Sequence, residues 1–227
     1  MRLVSSFQRW SFFVFTLFCC TAMASQREFP VPEFFNLHIV ADQMQFNGVA
    51  MSVSGFTTAK SAKDIETFYR QQWQDEIRVV EVEGLHVISH LHKGLLYTVQ
   101  YSINQQPSSI IEGFISLSNL PTVSKVNKIT LGSGFAMPGG TEVLNDMTSD
   151  DGGRKTRMLW LHNKLSVSAN VAFYQRRLES DGWISTFVQD ANRQAGGLIV
   201  KKGNTEMNIT VTRVNGVTQL LVIQTGV

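Results

Sequence analysis

The residues with the clearest chemical potential are three histidines in one short stretch, His86-Val-Ile-Ser-His90-Leu-His92. In an extended strand alternate side chains share a face, so all three imidazoles point the same way. Neutral imidazole is a ligand for zinc and copper. Same-face neighbours stand roughly 6–7 Å apart along a strand, which suits His90 and His92 to chelation. His86 is about twice as far from His90 and joins only if the strand bends. The expected metal ligands are therefore His90, His92 and His86. The competing reading is a polar sheet face opposite Leu85, Val87 and Leu91.

Other chemistry is thin. Gly132-Ser133-Gly134 lacks the Gly-x-Ser-x-Gly frame of a nucleophile elbow. No phosphate-cradling Gly-x-x-x-x-Gly-Lys-Ser/Thr occurs, and no Gly-x-Gly-x-x-Gly joins a strand to a helix. Asp146, Asp150 and Asp151 beside Gly152-Gly153 lack the alternating oxygen ligands and closing Glu of a calcium loop, so a solvated acidic turn is expected. Glu81 and Glu83 share a strand face and read as ordinary solvent-facing charge. The sequence gives no reason to expect catalytic residues or a cofactor.

The elements that must position these groups come from periodicity. Ile65, Phe68, Tyr69, Gln72 and Trp73 recur at helical spacing and predict a helix from Ser61 to about Gln74. Strands are expected at Val49–Ser54, Ile77–Val82, His86–His92, Leu95–Ile103 and Ile110–Leu117, with Gly84 and Lys93-Gly94 as turns. A second helix is expected from about Ser168 to Ser180, stopped by Asp181-Gly182. Around it stand strands at Met158–Leu161, Trp183–Gln189, Gly197–Lys201, Met207–Val214 and Val217–Gln224. Asn215-Gly216 is a strong hairpin signal. Phe68-Tyr69-Arg70 and Phe173-Tyr174-Gln175 anchor two similar units. The expected fold is α+β: two tandem copies of a helix packed on a mostly antiparallel sheet.

The beginning of the chain reads as an export signal. Arg2 and Arg9 form a basic head, Trp10 to Cys20 is almost wholly apolar, and Ala22-Met23-Ala24 fits the small-x-small cleavage rule. Its apolar core is about half the ~20 residues a spanning helix needs. Cleavage would remove both cysteines, Cys19 and Cys20, and with them disulfide and thiolate chemistry. It would also remove the two arginines that account for the whole excess of 20 basic over 18 acidic residues. A charge-balanced chain exerts no general pull on nucleic acid. The expected organisation is thus a signal peptide at 1–24, an extended N-terminal arm at 25–48 and a first unit at 49–120. A Gly-rich connector at 121–155 and a second unit at 156–227 follow.

The expectation for function is an exported, non-enzymatic interaction module, periplasmic or secreted. It would serve as an accessory or assembly factor of a bacterial envelope machine such as a pilus or secretion system, with protein partners, no nucleic acid and no stable membrane span after cleavage. The alternatives are a periplasmic binder of a small apolar ligand or lipid, and a metal-binding protein or metal-assisted enzyme built on His86, His90 and His92.

Overall fold

The structure is a computed structural model that describes residues 29–102, 110–122, 125, 129–151, 153–189 and 194–226. The expected signal peptide lies outside the described residues.

The first strands are β1 (Asn36–Phe46) and β2 (Val49–Thr58), followed by helix α1 (Ala62–Gln72) and then β3 (Arg78–Val82), β4 (Leu85–His92), β5 (Leu95–Ser102) and β6 (Ile111–Asn119). The second run repeats this order: β7 (Glu142–Asp151), β8 (Arg154–Asn163), helix α2 (Val167–Ser180), β9 (Ile184–Gln189), β10 (Ala195–Lys202), β11 (Thr205–Val214) and β12 (Val217–Thr225). Spatial order repeats as well. All described strands form one sheet, β3-β4-β5-β6-β2-β1-β7-β8-β12-β11-β10-β9, in which the halves mirror each other about the β1–β7 junction. Every pairing is antiparallel.

This corrects the expected fold class. Strand makes up 57% of the described residues and helix 15%, so the chain is mostly β rather than α+β. The two expected helix-on-sheet copies are not separate layers either, because β1 and β7 fuse them into one continuous sheet. Helical periodicity is easy to see in a sequence, whereas strands that carry bulges or polar runs are not, and two helices therefore looked like a larger share of the fold than they are.

The repeat also begins earlier than composition suggests. Strand β1 lies within the stretch expected as an arm, and β7 within the expected connector. The lead-ins match too: Phe29-Pro-Val-Pro32 and Phe135-Ala-Met-Pro138 each end in a turn, closed by Phe35 N–H donating to Pro32 O (3.0 Å) and by Thr141 N–H donating to Pro138 O (3.3 Å). Phe29 then packs near Tyr69 and Phe135 on Tyr174.

Two cores hold the molecule. One joins Ile65, Tyr69 and Trp73 of the α1 region to Phe56, Ile88, Val99 and Ile115. The other joins Val167, Val171, Tyr174 and Leu178 to Leu159, Leu161, Leu198, Ile209 and Leu220. Opposed residues in adjacent strands point to one side of a sheet. Following Ala50 to Gln45, Thr148 and Arg157 shows that Phe56 and Leu161 share a face. Both helices therefore lie on the same side, and the other side carries none of the described helices.

Candidate functional site

The three histidines fall on β4, as expected, but not on an open polar face. Ile88 sits between them on the same side and is fully buried beneath α1. The imidazoles thus face the helix. His90, 8% exposed, enters an aromatic column. Tyr69 stacks on Trp73 at 4.7 Å, Trp73 on His90 at 5.0 Å, and His90 lies 6.0 Å from the nearly parallel ring of exposed His92. Tyr97 flanks both Trp73 and His90. The register explains this: the Lys93-Gly94 turn sets His92 opposite Leu95 and His90 opposite Tyr97.

A carbonyl oxygen can only accept, so the 2.6 Å contact between His90 Nδ1 and Glu76 O requires the hydrogen on Nδ1. In the neutral ring the lone pair is then on Nε2. His86 belongs to different surroundings. Its ring stacks on Tyr101 at 5.4 Å and pairs with Glu81 at 3.5 Å. Among the described residues no three His, Cys, Asp or Glu converge on one point that could hold a metal.

The column forms one wall of a cleft of about 490 Å³ whose rim includes Pro30, Gln72, Gln74, Glu76 and His92. Tyr97 was open to sequence reasoning, since counting outward from the Lys93-Gly94 turn pairs it with His90. The rim from Pro30 was not, because only the fold brings the lead-in back under α1.

A larger groove, about 920 Å³, lies over the strands between the two helices. Leu95, Leu117, Ile129 and Leu131 supply apolar walls; Gln45, Thr148, Asp150 and Lys155 supply polar ones. At its base Arg157 grips Asp146 with two hydrogen bonds, Nε to Oδ1 at 3.0 Å and Nη2 to Oδ2 at 2.7 Å. Burial alone would raise the Asp146 pKa, but the Arg157 contacts and the Gly132 N–H outweigh it and hold the carboxyl below its ordinary value. Asp146 is therefore a structural anion, not the solvated acid of the sequence reading. Asp150 accepts from Gly153 N–H at 2.9 Å, closing the β7–β8 turn. Glu83 lies in the β3–β4 turn at φ 52° rather than beside Glu81 on a strand face.

No family model, curated protein or solved structure matches this chain. Its own two repeats therefore supply the only internal comparison. The second repeat has a smaller cleft, about 390 Å³, at the corresponding end of α2. There Val200 opposite Met207 stands where the first repeat has His90 opposite Tyr97, and Lys202 stands where it has His92.

Among the described residues the outer edges of the sheet, β3 and β9, differ as well. Strand β3 is five residues long and carries Arg78 and Glu81. Strand β9 is uncharged along Ile184–Gln189 and presents Ile184 and Phe187, 71% and 54% exposed. Among the described residues no helix is long and apolar enough to cross a membrane, which leaves β-barrel spanning unaddressed.

Proposed function

We propose that the chain is an exported, non-enzymatic interaction module, an accessory or assembly factor of a bacterial envelope machine such as a pilus or secretion system. The observation that carries this reading is the β9 edge. An edge strand presents unpaired N–H and C=O groups and is normally blunted by charge, proline, bulges or shortness. Strand β3 is short and charged. Strand β9 has one bulge, near Thr186, and no charge. An extended segment of a partner would add there, with backbone hydrogen bonds giving affinity and Ile184 and Phe187 giving selectivity. Export rests on the basic head, apolar core and Ala22-x-Ala24 of the leader.

The test is a photo-crosslinking residue at position 187 in cells, with fractionation to locate the protein. The reading requires one dominant crosslinked partner in the envelope fraction. A uniform absence of crosslinks, or retention in the cytosol, removes it. Phe187→Glu should reduce the crosslink obtained from a probe at position 184 at least tenfold.

The seam groove favours a second reading, a binder of a small apolar or amphiphilic ligand, because its volume lies within the range of ligand sites, about 300–1,000 Å³. Native mass spectrometry would then show an adduct that Leu117→Lys abolishes.

A further inference from the structure

The two repeats share one architecture, so a place where one departs from the other at a cost marks a demand beyond folding. The end of α1 is such a place. The second repeat fills its core there with Val200 and Leu178; the first has His90 and Trp73. The second repeat leaves its helix through Gly182 in the left-handed region (φ 83°), where glycine is unstrained. The first leaves through Gln74 and Asp75, consecutive non-glycine residues at φ 51° and 63°. Such conformations cost energy and cluster at functional sites.

The geometry points to a transition-metal site on this cleft, in which His90 and His92 take a dication such as Cu²⁺ or Zn²⁺. His90 is fixed by its stack on Trp73, and its Nδ1–H donates to the Glu76 carbonyl. An imidazole whose far nitrogen is tied to a carbonyl is the usual outer support of a metal-ligating histidine, fixing both ring orientation and tautomer. The ligating atom would be Nε2. His92 is exposed, two residues along the same face, and its ring centroid is 6.0 Å away. A turn of that free ring brings its nitrogen to the same ion, at roughly the 2.0–2.1 Å usual for metal–imidazole bonds. The protein thus supplies two ligands and leaves the remaining positions to water or an incoming group, which makes the site open and exchangeable. Copper should bind more tightly than zinc, following the general order for nitrogen ligands. This inference is independent of the β9 reading.

The test is calorimetric titration of the untagged full chain carrying Cys19→Ser and Cys20→Ser, which removes the leader's competing thiols, with Cu²⁺ and Zn²⁺ and with tryptophan fluorescence recorded in parallel. One ion should bind per chain, and Cu²⁺ should quench Trp73, which stacks on the ligand His90. His92→Ala should weaken binding at least tenfold. So should His92→Lys, which installs the residue the second repeat uses and keeps the exposed position polar and soluble. His86→Ala should leave affinity within twofold, and Trp73→Phe should abolish most of the quenching while retaining the calorimetric signal. No binding to the parent chain, unchanged affinity in His92→Lys, or an equal loss in His86→Ala overturns the site.

Discussion

Tyr69 and Tyr174 occupy matching positions on the two helices, and each is fully buried with a hydroxyl that has no hydrogen-bond partner among the described residues. Burial favours the neutral phenol and pushes both pKa values well above the ordinary tyrosine range; Tyr101, also buried, is pushed up to about 12. The unfolded chain would release these protons near pH 10, while the folded chain keeps them. Their contribution to stability is therefore complete below about pH 10 and is lost as pH rises through the folded values. Spectrophotometric titration should show Tyr69, Tyr101 and Tyr174 ionising only together with loss of the fold. Tyr174→Phe removes an unsatisfied buried hydroxyl, so thermal melts should show no loss, and up to about 1 kcal/mol of gain. The role of these rings was half legible. The Phe68-Tyr69 and Phe173-Tyr174 pairs mark the buried face of each helix in the sequence, whereas the column leading from Tyr69 to His92 depends on strand register, which composition does not show.

Each element rests on a few local choices. Ser61 caps α1 and Ser166 caps α2, each accepting from the backbone N–H three residues on. Ser166→Ala should cost about 1 kcal/mol, read as a shift in the urea midpoint. Glycine in β6 answers a different need. A Cβ at Gly113 would lie 2.7 Å from the Phe56 ring, which already stacks on Phe35 at 3.8 Å. With no room for that ring to yield, Gly113→Ala should destabilise by about 1–3 kcal/mol. The helices, their caps and the hairpins were legible because 3.6-residue spacing and Asn-Gly or Lys-Gly turns are local signals. Strands β1 and β7 were not. Bulges interrupt β1 twice, breaking its two-residue alternation, and β7 carries Asn145, Asp146, Asp150 and Asp151, residues that read as loop. What makes them strands is pairing with each other and with β2 and β8, a long-range condition.

At the scale of the whole molecule the decisive feature is how little sheet joins the halves. Strands β1 and β7 pair only over Gln43–Phe46 and Met147–Asp150. On the helix-free face a transverse row of Val49, Phe46, Met147, Met158 and Ile223 crosses this junction in register. Polar groups also hold the junction at its turn end. Asn47, in the β1–β2 turn at φ 49°, accepts from Asp146 N–H at 2.8 Å and donates to Asn145 Oδ1 at 3.1 Å. The Asp146 carboxylate in turn holds Arg157 and Gly132, and Arg157 reaches Ser133 O, so this carboxylate ties β8 to the segment between the repeats, while the main-chain N–H of Asp146 meets Asn47 of the first repeat. The carboxylate's stabilisation is present above the unfolded carboxyl value of about pH 3.9 and is lost as pH falls through the lower folded value. Asp146→Asn leaves Arg157 without its counter-charge and should cost about 2–3 kcal/mol. Decoupling of the repeats is tested instead by Asn47→Ala, which removes both side-chain bonds across the junction: because each repeat has its own core, a single urea transition should become two, and amide exchange in Met147–Asp150 should rise before that in either core. Glu142→Gln breaks only the exposed pair with His162 and should change stability by less than about 0.5 kcal/mol. A single, merely shifted transition in Asn47→Ala would mean that the apolar row, not the Asn47 side chain, makes the two repeats one folding unit.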